Sequence, residues 1–377
     1  MSLSFSPAPF PLAHDRDRLA IAHVHTGMVG SGGDRVSELE ACFLAELGHK
    51  VTMIGPAAPE IEARFEKAGL ALIADAPARR EPMAVAARTG ALDIVHCHCT
   101  LSAPFAAALA RESGAALVVH IHSMKEDWWE RGGRASDFGG KRRRLRQEID
   151  TAVAGAARVI CVSEAVRDHM LAIGLPIGSA VVLGNPIDDI FFRPAGTGEE
   201  RFDVAILARP SRAKSPLSAL RILAEAQRRR PGLRMIWIGP LGHWDRFMRM
   251  SRRALKLPSL TFAGQLQPEE ICNVLDGTRV LLSASNREGQ PLSVLEALSR
   301  GCSAVLSDIP AHRPFAEEQG VTLFRERDQT AAGAVLAETV ASHHRRARPA
   351  LASHRVADHG RRLLDIYRSL VVGRKAS

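Results

Sequence analysis

At 377 residues the chain is long for one hydrophobic core and suits two domains of ordinary size. Hydrophobic residues make up 46% and charged residues 24%, a globular composition rather than a disordered one. There is no apolar run of about 18 residues or more, the length a membrane span requires. The net charge of +9 suits phosphorylated substrates, an anionic membrane surface or nucleic acid. Aromatic residues are only 5% with a single tyrosine, and no nucleic-acid-binding motif occurs, so no nucleic-acid partner is expected.

Met1 to Ala13 lacks a basic segment ahead of an apolar core and does not read as a signal peptide. The cysteines at 42, 97, 99, 161, 272 and 302 show no C-x-x-C spacing and sit mostly in apolar segments. They read as free thiols in a reducing cytosol. The expected location is cytoplasmic, with peripheral attachment to the inner face of the membrane as an option the charge leaves open.

Short apolar runs alternate with longer amphipathic segments, the pattern of parallel β/α units. Leu19 to His25 is a strand, followed by a helix from Asp34 to Leu47 with Val36, Leu39, Phe43 and Leu47 on one face. Gly48 ends that helix, and Lys50 to Ile54 is the next strand. Further strands fall at Asp93 to His98, Ala116 to Ile121, Arg158 to Val162 and Val181 to Leu183, with helices at Pro104 to Glu112 and Ser163 to Ala172. Asn185 to Glu200 is rich in proline, glycine and acids and reads as a linker. The alternation then restarts, with strands at Asp203 to Ala208, Arg234 to Gly239, Leu260 to Ala263, Val280 to Ser283 and Ser303 to Ser307. Helices are expected at Pro216 to Arg229, Pro268 to Asp276, Pro291 to Arg300 and, last, Ala350 to Val372. The expected fold is therefore α/β, with two Rossmann-like doubly wound domains at 17–188 and 200–345, and a segment 346–377 whose helix returns to the first domain. Ligands in such sheets bind beyond the carboxyl ends of the strands, and two such domains facing a central cleft favour a site there.

Three constellations carry chemistry. Gly27, Gly30, Gly32 and Gly33 lie between a strand and a helix, where backbone can approach an anion; a plain flexible turn is the alternative. Arg209 and Lys214 follow the first strand of the second half, and two cations at a strand end can clamp a diphosphate. Glu288, Gly289, Gln290, Pro291, Leu292 and Ser293 lead into a helix that carries Glu296 and ends at Gly301. Pro291 suits the first turn, Leu292, Leu295 and Leu298 form the apolar face, and Glu296 lies beside it, where a carboxylate needs a partner such as vicinal hydroxyls. The backbone amides at the start of that helix favour a diphosphate.

The Glu288/Glu296 pair with Arg209 and Lys214 upstream resembles the retaining glycosyltransferases of family 4, of the GT-B fold. Other segments match in order: Gly32-Gly33-Asp34-Arg35, Gly48-His49-Lys50-Val51, Asp93-Ile94-Val95-His96-Cys97-His98, Val118 to His122, Val162-Ser163-Glu164 and Asn185-Pro186-Ile187-Asp188. The resemblance runs from about residue 20 to 330. Ala208 stands where glycine is usual, Cys302-Ser303 replace a small residue and proline, and Gln290 replaces an aromatic residue, which leaves the donor sugar open.

The resemblance implies a nucleotide-sugar donor in the second domain and an acceptor in the first. Glu296 would hold the ribose, Glu288 the sugar hydroxyls, and Arg209 and Lys214 the departing diphosphate. Gly239, Gly264 and the stretch Gly289 to Ser293 would line the donor, and His122 would touch the donor sugar or the reacting centre. Gly32, Gly33, Asp34, His98 and Trp128 would serve the acceptor side, Trp128 from a basic loop running from Lys125 to Arg146. The acceptor would be a glycan, a lipid-linked molecule or a small molecule. No cofactor and no metal are implied. The pair Asp15 and Asp17 lies ahead of the first strand and is discounted, and in His96-Cys97-His98-Cys99 the strand alternation separates histidines from cysteines. A sugar phosphorylase, an epimerase or a non-catalytic nucleotide-sugar-binding protein are the competing readings.

Overall fold

The computed structural model describes residues 17–28, 32–74, 81–124, 139–194, 201–345 and 349–375. The chain divides into two compact units, Met1–Pro186 with Val356–Ser377, and Ile187–Arg355.

In the first unit β1 (Ala20–Val24), α1 (Gly32–Glu46), β2 (Lys50–Ile54), α2 (Pro59–Lys67), β3 (Ala71–Ile73), α3 (Pro82–Thr89) and β4 (Ile94–Cys97) come first. They are followed by α4 (Ala103–Ser113), β5 (Ala116–Ile121), α5 (Gly139–Ala154), β6 (Arg158–Cys161), α6 (Glu164–Ala172) and β7 (Val181–Val182). The described strands form one parallel sheet in the order β3-β2-β1-β4-β5-β6-β7. Every residue of β5 is buried, as a central parallel strand covered on both faces requires.

The second unit repeats the plan with β8 (Phe202–Leu207), α7 (Pro216–Arg229), β9 (Met235–Ile238), α8 (Asp245–Ala254), β10 (Leu260–Gly264) and α9 (Pro268–Asp276). Then come β11 (Thr278–Ser283), α10 (Leu292–Ser299), β12 (Ser303–Ser307), β13 (Val321–Phe324) and α11 (Gln329–Ala341). Its sheet order is β10-β9-β8-β11-β12-β13, again parallel. Both orders reverse direction after the first strand, the doubly wound arrangement of Rossmann-like domains.

Proline opens α2, α3, α7 and α9, where its missing N–H is harmless. Ser163 caps α6 by accepting from the Val166 amide at 3.2 Å. The same glycine device recurs in both units. Gly55, just beyond β2, has φ +138°, and a Cβ there would stand 2.6 Å from the His25 carbonyl oxygen. Gly239, just beyond β9, has φ +134°, and its Cβ would stand 2.5 Å from the Ala208 carbonyl oxygen. Only glycine allows the second strand of each sheet to end so close to the switch-point strand.

The last helix, α12 (Val356–Lys375), completes the first unit. Its Leu363, Leu364 and Tyr367 join the apolar cluster of Ile21, Met53, Ile94 and Val118 on one side of the first sheet. It begins later than the expected Ala350, because Pro349–His354 form a short 3-10 segment that stays with the second unit, where Leu351 packs against Phe191 and Phe315. No helix among the described residues is long and apolar enough to cross a membrane.

Candidate functional site

In the second unit the carboxyl ends of β8 and β11 flank the point where strand order reverses. The segment after β8 is pinned to the loop after β11: the Asn286 amide donates to the Ala213 carbonyl at 2.8 Å, and Asn286 Nδ2 donates to the Arg212 carbonyl at 3.1 Å. Ser215 takes a left-handed φ of 45°, a sparsely populated conformation for a residue with a side chain, directly between Lys214 and α7. Lys214 Nζ thereby lies 2.5 Å from Glu288 Oε1. Glu288 Oε1 also accepts from Ser285 Oγ at 2.7 Å, and the Ser285 carbonyl accepts from Ser307 Oγ. The pair is 27% exposed at Lys214 and 11% at Glu288, so it is open to a ligand yet shielded enough for its charges to count. His312 is buried beside it, with Nδ1 2.8 Å from the Ser307 carbonyl oxygen, and burial lowers its pKa.

Pro291 occupies the N-cap position of α10, one step earlier than the first turn expected from the sequence. The core face of α10 is Val294, Leu295, Ala297 and Leu298, while Leu292 is only half-buried, because the helix starts at Leu292 and turns that residue toward its open end. Leu292 and Ser293 supply first-turn amides that an α-helix leaves without internal acceptors. Ser293, Lys214, Ser283, Ser285 and Ala208 line one small crevice. Gly289 is buried, Gln290 and Glu296 are half-buried, and Arg209 is exposed just past β8. Gly239 acts through close backbone approach, and Gly264, at φ +73°, accepts from the Gly239 amide at 2.7 Å.

In the first unit β1, β4 and β5, with the residue beyond each, present His23/His25, His96/His98 and His120/His122. Register sets His23 beside His96 and His96 beside Val118, so these alternate residues share one face of the sheet. Val24, Cys97 and Ile121 point to the opposite face and enter its apolar core. The histidine face is covered by Ser37 and Glu40 of α1 and by His359 and Tyr367 of α12.

The contacts form a chain. His122 Nε2 is 3.1 Å from His98 Nδ1, and His98 Nε2 is 2.9 Å from His23 Nδ1. Ser37 Oγ lies 3.1 Å from His23 Nδ1 and 2.7 Å from His25 Nε2. His25 Nδ1 is 3.7 Å from Asp34 Oδ1. Burial, reinforced by neighbouring imidazoles, pushes His23 and His122 down to about 3 and holds His96, His98 and His120 well below the ordinary range. These rings are therefore neutral at physiological pH.

At the carboxyl end of the sheet, half-buried His122 meets the start of α1: a Cβ at Gly33 would stand 3.5 Å from His122 Cγ. Gly33, Asp34, His98 and His122 are thus gathered at one edge, with Gly32 exposed beside them. Trp128 lies outside the described residues, as does 125–138 of the basic loop; the rest of that segment enters α5. Sequence reasoning missed His25, Ser37, Glu40, His359 and Tyr367 in this unit, and Ser285, Ser307 and His312 in the other. The repeated His-x-His at three strand ends was the available signal for the first group.

Both sheets, their strand order and the switch-point ends define two Rossmann-like domains, and the solved structures that superpose on the chain over nearly its whole length are glycosyltransferases of the GT-B fold. Residues 31–186 match the family described as glycosyl transferase 4-like domain, and residues 188–350 match glycosyl transferases group 1. The chain belongs to these group 1 glycosyltransferases and is a transferase.

Over 192 residues it is 28% identical to the GDP-mannose:cellobiosyl-diphosphopolyprenol alpha-mannosyltransferase of Xanthomonas campestris, covering 50% of each chain. The match thus spans about half the length of that curated relative. Anabaena Alr3699/HepE, solved with UDP and glucose, superposes with a TM-score of 0.72 at 14% identity, covering 96% of this chain and 100% of that one. Sucrose-phosphate synthase of Thermosynechococcus elongatus gives 0.67 at 15% identity over 95% and 98%.

Proposed function

We propose that the chain transfers a hexosyl group, with retention of anomeric configuration, from a nucleotide-diphosphate sugar to a glycan, lipid-linked or small-molecule acceptor. The observation that carries this reading is the Lys214–Glu288 pair at the switch point of the second sheet, beside the first-turn amides of α10. Negative charge builds on the departing diphosphate as the glycosidic bond breaks. Lys214 and Arg209, with the Leu292 and Ser293 amides, are the fixed groups that neutralise it. This charge set makes the transfer step independent of a metal ion, and no cofactor takes part. Glu296 holds the ribose hydroxyls, and Glu288 the hydroxyls of the transferred sugar, with Ser285 and Lys214 orienting its carboxylate. Gly239, Gly264 and the stretch Gly289 to Ser293 line the donor. In the first unit His122, neutral and half-buried, meets the reacting sugar, and Gly32, Gly33 and Asp34 serve the acceptor; His98, expected beside them, is buried with both ring nitrogens engaged and acts in the transfer only by backing His122.

The donor we favour is GDP-mannose, the one named for the Xanthomonas relative. A lipid-linked acceptor is supported by α8, where Phe247 and Met250 are exposed among Arg246, Arg249 and Arg253, an arrangement that suits the interface of an anionic membrane. The test is calorimetry with EDTA present against GDP-mannose, UDP-glucose, UDP-N-acetylglucosamine, UDP-galactose and ADP-glucose, with Glu296→Ala as control. Metal-free binding of one donor, lost in the variant, supports the assignment. If no nucleotide-sugar binds, the roles given to Arg209, Lys214, Glu288 and Glu296 fall.

A further inference from the structure

The buried histidine face holds more imidazole than the transfer step uses. His23, His96, His98 and Glu40 are all buried, and one ligand-type atom from each lies within 4.8 Å of the others. Glu40 sits on α1 with its carboxylate aimed at the sheet. Its Oε1 is 2.8 Å from His359 Nε2, while His359 Nδ1 is 2.8 Å from the Gly184 carbonyl oxygen. A carbonyl only accepts, so His359 Nδ1 carries a hydrogen, and a further proton must lie between His359 Nε2 and Glu40 Oε1. That leaves Glu40 Oε2, which has no hydrogen-bond partner among the described residues. It faces His98 Nε2 at 3.7 Å and His96 Nδ1 at 3.8 Å. His23 Nε2 and His96 Nε2 are likewise without partners among the described residues. So many orphaned polar atoms in one dry cluster are costly unless something sits among them.

We propose that this cluster is a structural zinc site, held by His98 through Nε2, Glu40 through Oε2, and His23 and His96 through one ring nitrogen each. Ligand atoms on a tetrahedral zinc stand roughly 3.3 Å apart, given bonds of about 2.0–2.1 Å. The observed separations of 2.9 Å (His98 to His23), 3.7 Å and 3.8 Å bracket that value, so small side-chain shifts would close the shell. Three imidazoles and one carboxylate select a first-row transition ion over calcium or magnesium.

The surrounding groups fit an outer shell. His98 Nδ1, the ring nitrogen that does not face the ion, meets His122 Nε2 at 3.1 Å, and Glu40 Oε1 is held by His359 Nε2 at 2.8 Å. Four protein donors leave no open position, so the ion ties β1, β4 and α1 together behind His122 without joining the reaction.

The test uses the full chain, produced without a polyhistidine tag, stripped with chelator, then incubated with Zn²⁺ or Co²⁺ and desalted. The expected result is about one ion per chain by elemental analysis, the intense visible absorption of tetrahedral cobalt, and a higher melting temperature with zinc. Glu40→Gln and His96→Gln should each lose the ion. Wild-type protein that retains no ion overturns the proposal, whatever the variants do. So does binding that both variants keep, since the ion would then sit elsewhere on the surface. Neither outcome depends on nucleotide-sugar binding, so the zinc site and the donor site stand or fall separately.

Discussion

Replacing Gly360 with alanine sets two effects of opposite sign against each other. In a helix interior alanine is favoured over glycine by about 1 kcal/mol, so the change would stabilise an unpacked α12. Gly360, however, lies against α1: a Cβ there would stand 2.2 Å and 2.4 Å from Cδ1 and Cε1 of Phe43. Carbon atoms in contact settle at about 3.5–4.0 Å, so the methyl overlaps the ring by more than an ångström. Phe43 is 4% exposed and clustered with Leu39 and Val356, which leaves its ring little room to swing away.

Overpacking of this kind costs about 1–3 kcal/mol, and the depth of the overlap puts Gly360→Ala at the upper end. The net is a destabilisation of about 2 kcal/mol, or a fall in Tm of about 4–8 °C for a domain of this size. Calorimetry on Gly360→Ala, Phe43→Leu and the double variant forms the assay. The double variant should lose less than the sum of the singles, since a smaller side chain accommodates the new methyl. A higher Tm for Gly360→Ala, or strict additivity, would refute the close packing of α12 on α1.

Lys214→Met should lower turnover by about 10²–10³-fold while the fold survives, measured as sugar transfer beside a thermal scan. The lowered pKa of His312 means that unfolding binds a proton there, so its contribution to stability is complete above the ordinary value of 6.5 and is lost as pH falls from there through the lowered folded value. His312→Gln should flatten that part of the acid limb of a Tm–pH curve. Arg300 is buried and donates to both oxygens of Asp276 at 2.8 Å and 2.7 Å, so Arg300→Met should cost about 3–5 kcal/mol in urea unfolding by breaking that bidentate ion pair. Burial pushes the thiols of Cys97, Cys272 and Cys302 up to about 12, so native protein should resist alkylation at these positions and accept it only after denaturation, read by mass spectrometry.

Much of the fold was legible because it rests on local periodicity. The apolar runs at Ala116–Ile121 and Ser303–Ser307 and the proline-led helices at Pro216 and Pro268 appear where hydrophobic spacing and start signals put them. Segments that bury little escaped notice: α2 buries only Ile61 and Phe65 in an otherwise charged stretch, and β3 is an edge strand of three residues. α11 was missed because its alanine-rich sequence has almost no apolar asymmetry, although Ala332, Gly333, Leu336 and Val340 are buried.

For the candidate site, the sequence alone singled out Lys214 and Glu288 as charged residues in separate loops, and the resemblance supplied their proposed roles. That Glu288 takes its hydrogen bonds from Lys214 and Ser285 depends on residues 74 positions apart being spliced by Asn286, which no local pattern encodes. The histidines show the division most clearly. Alternation along one strand correctly separates His96 and His98 from Cys97. Considered one strand at a time, the histidines cannot surround an ion. Parallel register stacks three such strands side by side, and α1 and α12 then bring Glu40 and His359 onto the same face from positions 319 residues apart. The sequence determines which way each side chain points, because a strand's period is a local property. Which side chains meet is decided by strand order and helix packing, because those contacts form only when distant segments bury their surfaces together.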